Sequence, residues 1–181
     1  MKTMNTIKHF SFALVVALIT TLSSCSSDSN SGGGTAALGT LKAKIGGTNF
    51  TSITQGTMAV DAFNGSYHNF SISGVDASGK SIILTILATE ITAGTTYQFE
   101  ESNATLFASC AYSEININNP TVSQSWGAPY DGGGNSGSIT ITSKTASNVQ
   151  GTFSLTVGNP ETVTTRSITN GSFNINITAG N

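Results

Sequence analysis

The chain has 181 residues, of which 9 % are charged, 38 % are hydrophobic and 20 are glycine. Globular domains usually carry about a quarter charged side chains, so Thr, Ser, Asn and Gly must make most of this surface. Seven basic residues against nine acidic, with no basic run, exclude a nucleic-acid partner, and two cysteines exclude a multi-bridge scaffold or a cysteine metal site.

Lys2 and Lys8 give a positive start, and an apolar stretch follows from Phe10 to Leu22. It suits a signal-peptide core and falls short of the roughly 20 apolar residues that a spanning helix needs. It ends in Leu22-Ser23-Ser24-Cys25, which resembles the lipobox of bacterial lipoproteins. A thiol suits that role because its deprotonated sulfur is a strong nucleophile for lipid transfer. The expected organisation is a signal peptide at 1–24, a lipidated Cys25 with a Ser/Gly-rich tether at 25–36, and one β domain at 37–181. Cleavage removes 24 residues and leaves 157, with five basic against nine acidic side chains, a formal charge of −4. Ser26 is not Asp, so the enterobacterial signal for inner-membrane retention is missing. Ser26-Ser27-Asp28-Ser29 weakly resembles the tract of surface-displayed Bacteroidota lipoproteins. The expected location is the outer membrane, held by lipid and leaning towards the surface face.

From residue 37 the apolar residues recur with period two, the mark of half-buried strands. Leu41, Ala43 and Ile45 alternate with Lys42 and Lys44 before Gly46-Gly47. Met58, Val60 and Ala62 lead to a turn at Asn64-Gly65, then Phe70 and Ile72 to a turn at Asp76–Gly79. Residues 81–88, SIILTILA, are apolar on both faces and predict a central strand covered on both sides. Tyr97 and Phe99, Leu106–Tyr112, Ile115–Ile117, Ile139 with Ile141, and Phe153, Leu155 and Val157 continue the series. Ile168 leads into Asn170-Gly171, a hairpin signal, before Phe173, Ile175 and Ile177. No helical period is sustained after the signal. The pattern predicts an all-β domain: an antiparallel sandwich or barrel of about eight to ten strands, mostly a meander.

Residues 118–137 interrupt the pattern with Pro120, Trp126, Pro129, Tyr130 and a glycine-rich run from Asp131. Long irregular segments often carry function. Trp126 and Tyr130, with Asp131 beside them, either form an aromatic platform for a glycan or an envelope protein, or Trp126 plugs one end of the core, the commoner role of a lone Trp. Asp131 and Asn135 offer oxygen ligands for calcium, but one carboxylate is too few for tight binding. His68 would be the only histidine after cleavage and reads as an exposed residue at a strand end. Glu100 and Glu101 are adjacent, so on a strand they point to opposite faces and cannot flank one substrate. Cys110 reads as a small buried apolar residue. No phosphate loop or dinucleotide fingerprint is present, so neither catalytic residues nor a cofactor or metal are expected.

Ala43-Lys44-Ile45-Gly46-Gly47, Gly94-Thr95-Thr96-Tyr97, residues 137–142, Gly151-Thr152-Phe153-Ser154-Leu155 and residues 168–173, in that order, resemble a domain family of Bacteroidota, mostly flavobacterial, lipoproteins. The resemblance spans residues 40–181. It implies an all-β lipoprotein domain without an assigned activity and supplies no catalytic residue. The expectation is a membrane-anchored envelope lipoprotein, not an enzyme, whose domain binds a glycan or protein or is structural. The alternative is an envelope hydrolase with a site not recognised in the sequence.

Overall fold

The computed structural model describes residues 35–100, 107–116, 118–132 and 134–179. The expected signal segment, Cys25 and the expected tether up to residue 34 lie outside the described residues, as do Glu101, Leu106 and Ile117.

The domain is all β. Its strands are β1 (Thr40–Ile45), β2 (Thr48–Thr51), β3 (Thr57–Phe63), β4 (His68–Val75), β5 (Lys80–Ala88) and β6 (Thr96–Gln98). β7 (Phe107–Glu114), β8 (Gln124–Ala128), β9 (Gly137–Lys144), β10 (Asn148–Asn159) and β11 (Thr164–Ala179) complete it. Among the described residues, eleven strands therefore stand against the eight to ten expected. β2 and β6, four and three residues long, are too short to leave a periodic signal.

Hydrogen bonding joins the strands into one mixed sheet that folds into two layers. One runs β2-β1-β11-β10-β9-β6 and the other β3-β4-β5-β7-β8. They meet where the two outer strands of the second layer, β3 and β8, pair with the ends of the two central strands of the first, β11 and β10. Ile177–Ala179 of β11 pair in parallel with Ala59–Asp61 of β3, and Gly158 of β10 pairs with Gly127 of β8. The result is a sandwich closed into a flattened barrel. Across the middle, Leu41 of β1 lies against Gly74 of β4, where an added Cβ would sit 3.1 Å from the Leu41 Cβ.

Alternation fills the space between the layers. Ile82, Leu84, Ile86 and Ala88 of β5 are fully buried, as are Phe70 and Ile72 of β4 and Ile139 and Ile141 of β9. One continuous cluster results, and each full-sized side chain in it contributes about 1.5–3 kcal/mol. β5 is central, between β4 and β7, but only one of its faces is covered: Ile83 is 41 % exposed and Thr85 partly so. An antiparallel layer can leave its outer face to solvent, which corrects the expectation of two covered faces.

The Asn64-Gly65 and Asp76–Gly79 turns form as read. The Asn64 side-chain oxygen accepts the Ser66 and Tyr67 N–H groups, and that of Asp76 accepts the Ser78 and Lys80 N–H groups. Asn170-Gly171 is not a hairpin. β11 runs straight through it and carries one extra residue against both neighbours: Ser172 and Thr169 face Lys42 and Lys44, and Gly171 and Ile168 face Phe153 and Leu155. This is a bulge with Asn170 at φ 52°. Gly171 is required there, because a Cβ would lie 2.6 Å from the Phe153 ring. Both flanks of the bulge stay paired with β1 and β10, and the 16-residue strand reaches β3 only at Ile177.

Residues 118–137 also differ from the expected long loop. Gln124–Ala128 is strand β8, paired with β7 from Cys110↔Ala128 to Glu114↔Gln124. Ile115 lies beyond the end of β7 and is exposed rather than in a strand.

Candidate functional site

Where β8 ends, the chain passes a cis Ala128-Pro129 peptide and lays Tyr130 over β10. The space for that ring comes from Gly158, where an added Cβ would meet the Tyr130 ring at 2.6 Å. Gly127, the partner of Gly158, also lacks a side chain, so the seam between the layers is thin. β10 then turns into β11 through residues 160–163. The Asn159 side-chain oxygen accepts the Glu161 N–H at 2.8 Å and the Thr162 N–H at 3.0 Å, and this fixes the turn.

Between Pro129–Asp131 and this turn lies a cleft of about 600 Å³. Pro129, Tyr130, Pro160 and Val163 give it apolar walls, while Asp131, Asn159, Thr164 and Thr165 add polar groups. None of its lining residues is basic. A mostly apolar cleft with a few convergent polar groups is the usual form of a small-molecule site. Val163 is notable within it. It is 88 % exposed and sits at φ 52°, a region that β-branched residues rarely adopt.

Trp126 does not belong to the cleft surface. It is buried at 2 % exposure and stacks on Tyr112 with ring centroids 5.5 Å apart. Its indole N–H donates to Thr164 Oγ1 at 3.1 Å, and the Arg166 guanidinium lies 4.8 Å from its ring centroid. The platform reading is therefore corrected for Trp126, which packs in the core and steadies the Thr164 wall from behind. Tyr130 and Asp131 do line the cleft. Asn159, Pro160, Val163, Thr164 and Thr165 join them from about 30 residues further on. Asn159-Pro160 is itself a turn signal, but nothing local in it points back to Tyr130.

A second cluster surrounds His68, which the structure does not leave simply exposed. His68 Nδ1 lies 2.6 Å from Asp61 Oδ1, and Lys144 Nζ lies 3.1 Å from Asp61 Oδ2. The Phe63 ring packs on the imidazole with centroids 4.8 Å apart. The hairpin register explains the pair: Phe63 faces His68, so Asp61, two residues back on the same face, is its diagonal neighbour. Lys144 comes from β9, so Asp61 ties the two layers together. A hydrolytic triad would need a nucleophile on the imidazole. Among the described residues, no side-chain hydroxyl or thiol hydrogen-bonds to His68.

Asn135 does not join Asp131. Its amide donates to Gln98 and its oxygen accepts the Gly137 N–H. No group of three His, Cys, Asp or Glu side chains among the described residues is placed to hold a metal ion. Glu100 is exposed, and its neighbour Glu101 lies outside the described residues. Cys110 is buried, and burial pushes its thiol pKa well up. Burial, together with a 2.6 Å hydrogen bond to Glu114, also raises that of Tyr112. No protein-family model, curated protein or solved structure was found to match this chain.

Proposed function

We propose that this chain is an envelope lipoprotein of a Bacteroidota-type bacterium. In this reading it is held to the outer membrane through lipid on Cys25, and its β domain binds a neutral glycan without catalysing a reaction. The observation that carries the reading is Leu22-Ser23-Ser24-Cys25, placed directly after a positive start and an apolar core of signal-peptide length. Two or more acyl chains give stable anchoring where one does not. Labelled palmitate should enter the wild-type protein and not a Cys25→Ser variant. Label retained by the variant would end the lipoprotein reading.

The cleft at the β8–β10 seam supports the glycan half. Sugars present apolar C–H faces and many hydroxyls, and the walls offer a Tyr ring, two prolines and a valine beside a carboxylate, an amide and two hydroxyls. A lining without a basic residue disfavours anionic ligands. A glycan array with the mature chain is the direct test. Tyr130→Ala and Asp131→Asn should each lower binding at least tenfold, and Asp131→Asn should leave the melting transition in place. Binding that survives both changes would remove the cleft from the reading.

A further inference from the structure

Strand register brings several ends to one pole of the domain. Val75 pairs with Ser81, Ser81 with Ser113, and Ser113 with Ser125. The end of β4, the start of β5, the end of β7 and the start of β8 are therefore level, and Thr57 opposite Gly74 adds the start of β3. The chain also enters the domain here. The Ile53 N–H donates to the Val75 carbonyl at 2.9 Å, and Thr54 lies against Gly39, one residue after Leu38. Ala36 is buried, with its carbonyl 3.4 Å from Asn174 Nδ2. The tether therefore joins at this pole.

The described residues leave eight large apolar side chains exposed, and five of them cluster here: Leu38, Ile53, Met58, Ile115 and Val122, each 43–61 % exposed. Of the other three, Phe63 is at the far end of β3, Ile83 is on the outer face of β5, and Val163 is on the cleft rim. Single exposed apolar residues are ordinary, but a shared location around one pole is not. The charged groups at this pole are Asp76, Lys80 and Glu114. Asp76 accepts hydrogen bonds within its own turn, and Glu114 accepts the Tyr112 hydroxyl. Among the described residues, no cationic patch is present at this pole to select anionic lipid.

We infer that this pole docks on the lipid surface that carries the anchor, with the five apolar side chains seated at the headgroup boundary. The inference rests on the lipidation of Cys25. The eleven residues from Ser26 to Ala36 span at most about 40 Å. The pole is thus confined close to the bilayer, and docking becomes an intramolecular step at high effective concentration. A water-exposed apolar ring at the point where a lipid tether enters has the bilayer as its nearest apolar phase.

The test uses the mature lipidated chain reconstituted into phosphatidylcholine vesicles that contain a lipid-borne quencher. A fluorophore is placed on Val122→Cys at the pole or on Ser66→Cys in the β3–β4 turn at the opposite end. Quenching at Val122→Cys should be at least twice that at Ser66→Cys, and adding Met58→Asp and Ile115→Asp should bring the two level. Equal quenching in the unmodified background overturns docking while leaving the anchor intact. Failure of the palmitate experiment removes the anchor itself, so the two failures are distinct. A Cys25→Ser chain that sediments as a dimer without vesicles, and loses this on Met58→Asp, would make the pole a contact between copies and overturn docking.

Discussion

Val163 allows a worked test of how the cleft is built. An L-residue at positive φ costs roughly 1–2 kcal/mol, because its Cβ approaches the neighbouring carbonyl oxygen, and a branched Cβ sits at the upper end. Asn occupies this region far more readily, and Asn170 already does so at φ 52° in the β11 bulge. Val163 is 88 % exposed, so replacing it loses almost no buried area. Val163→Asn should therefore stabilise the domain by about 1 kcal/mol and raise Tm by about 2–4 °C for a domain of this size. Calorimetry and urea denaturation of wild type and variant measure this directly. An unchanged or lower stability would mean that the turn is relaxed with valine in place, and would refute the strain argument. If valine is kept as the apolar rim of a ligand site, the stabilised variant should also bind glycan less tightly, a trade expected where strain sits at a functional position.

Three further outcomes follow from the packing. Deleting residues 168–181 removes most of β11, the strand that pairs with β1, β10 and β3, and should abolish the cooperative thermal transition; a truncated chain that still melts cooperatively would contradict this. Asp61→Asn should cost about 1–2 kcal/mol by urea denaturation, since Asp61 pairs with both His68 and Lys144 at only 16 % side-chain exposure. A double-mutant cycle with Lys144→Met that gives zero coupling would show that the pair does not link the layers. Alkaline pH should destabilise the fold through Cys110: an exposed thiol loses its proton near 9.0, and the buried one holds it to higher pH. Above pH 9 unfolding then releases a proton, so the contribution is intact below pH 9 and falls by up to about 1.4 kcal/mol per pH unit above it. Cys110→Ala should lessen that slope, and an identical slope in the variant would count against the buried thiol as its source.

Much of the fold is legible because a strand with one buried face writes its register into alternate residues. Leu41, Ala43 and Ile45, and Phe173 and Ile175, are buried where the period places them. Asn64-Gly65 and Asp76–Gly79 are turns because their side chains complete them locally. Asn170-Gly171 carries the same local chemistry and has a different outcome. An αL residue followed by Gly serves a tight turn or a bulge equally well, and only the pairing of both flanks with β1 and β10 decides between them. β8 leaves no legible period, because its two inward residues, Trp126 and Ala128, sit among Gly and Pro and are too few to show one. The pairing of His68 with Asp61 is not legible, since Asn64-Gly65 as a two-residue loop would set Phe63 opposite Ser66, whereas the loop spans four residues and sets it opposite His68. Nor is the cleft legible, because its halves lie on separate turns that meet only when the layers close.

That closure explains why the cleft forms where it does. A sandwich normally keeps its layers apart at the edges, and a barrel pairs them along the whole strand. Here the β8–β10 edge is joined by the single pair Gly158–Gly127. β8 ends one residue beyond that pair, and the space alongside β10 is filled by what the adjoining turns provide. Two glycines bring the backbones close and leave no side chain of their own to fill the space. Tyr130 covers part of it, Trp126 backs it through Thr164, and the remaining volume is the cleft. At the other edge, three residues of β11 pair with β3, and Asp61 with Lys144 adds an ionic tie. The β3 side is thus the more firmly joined, and the glycine seam is where the cleft stays open.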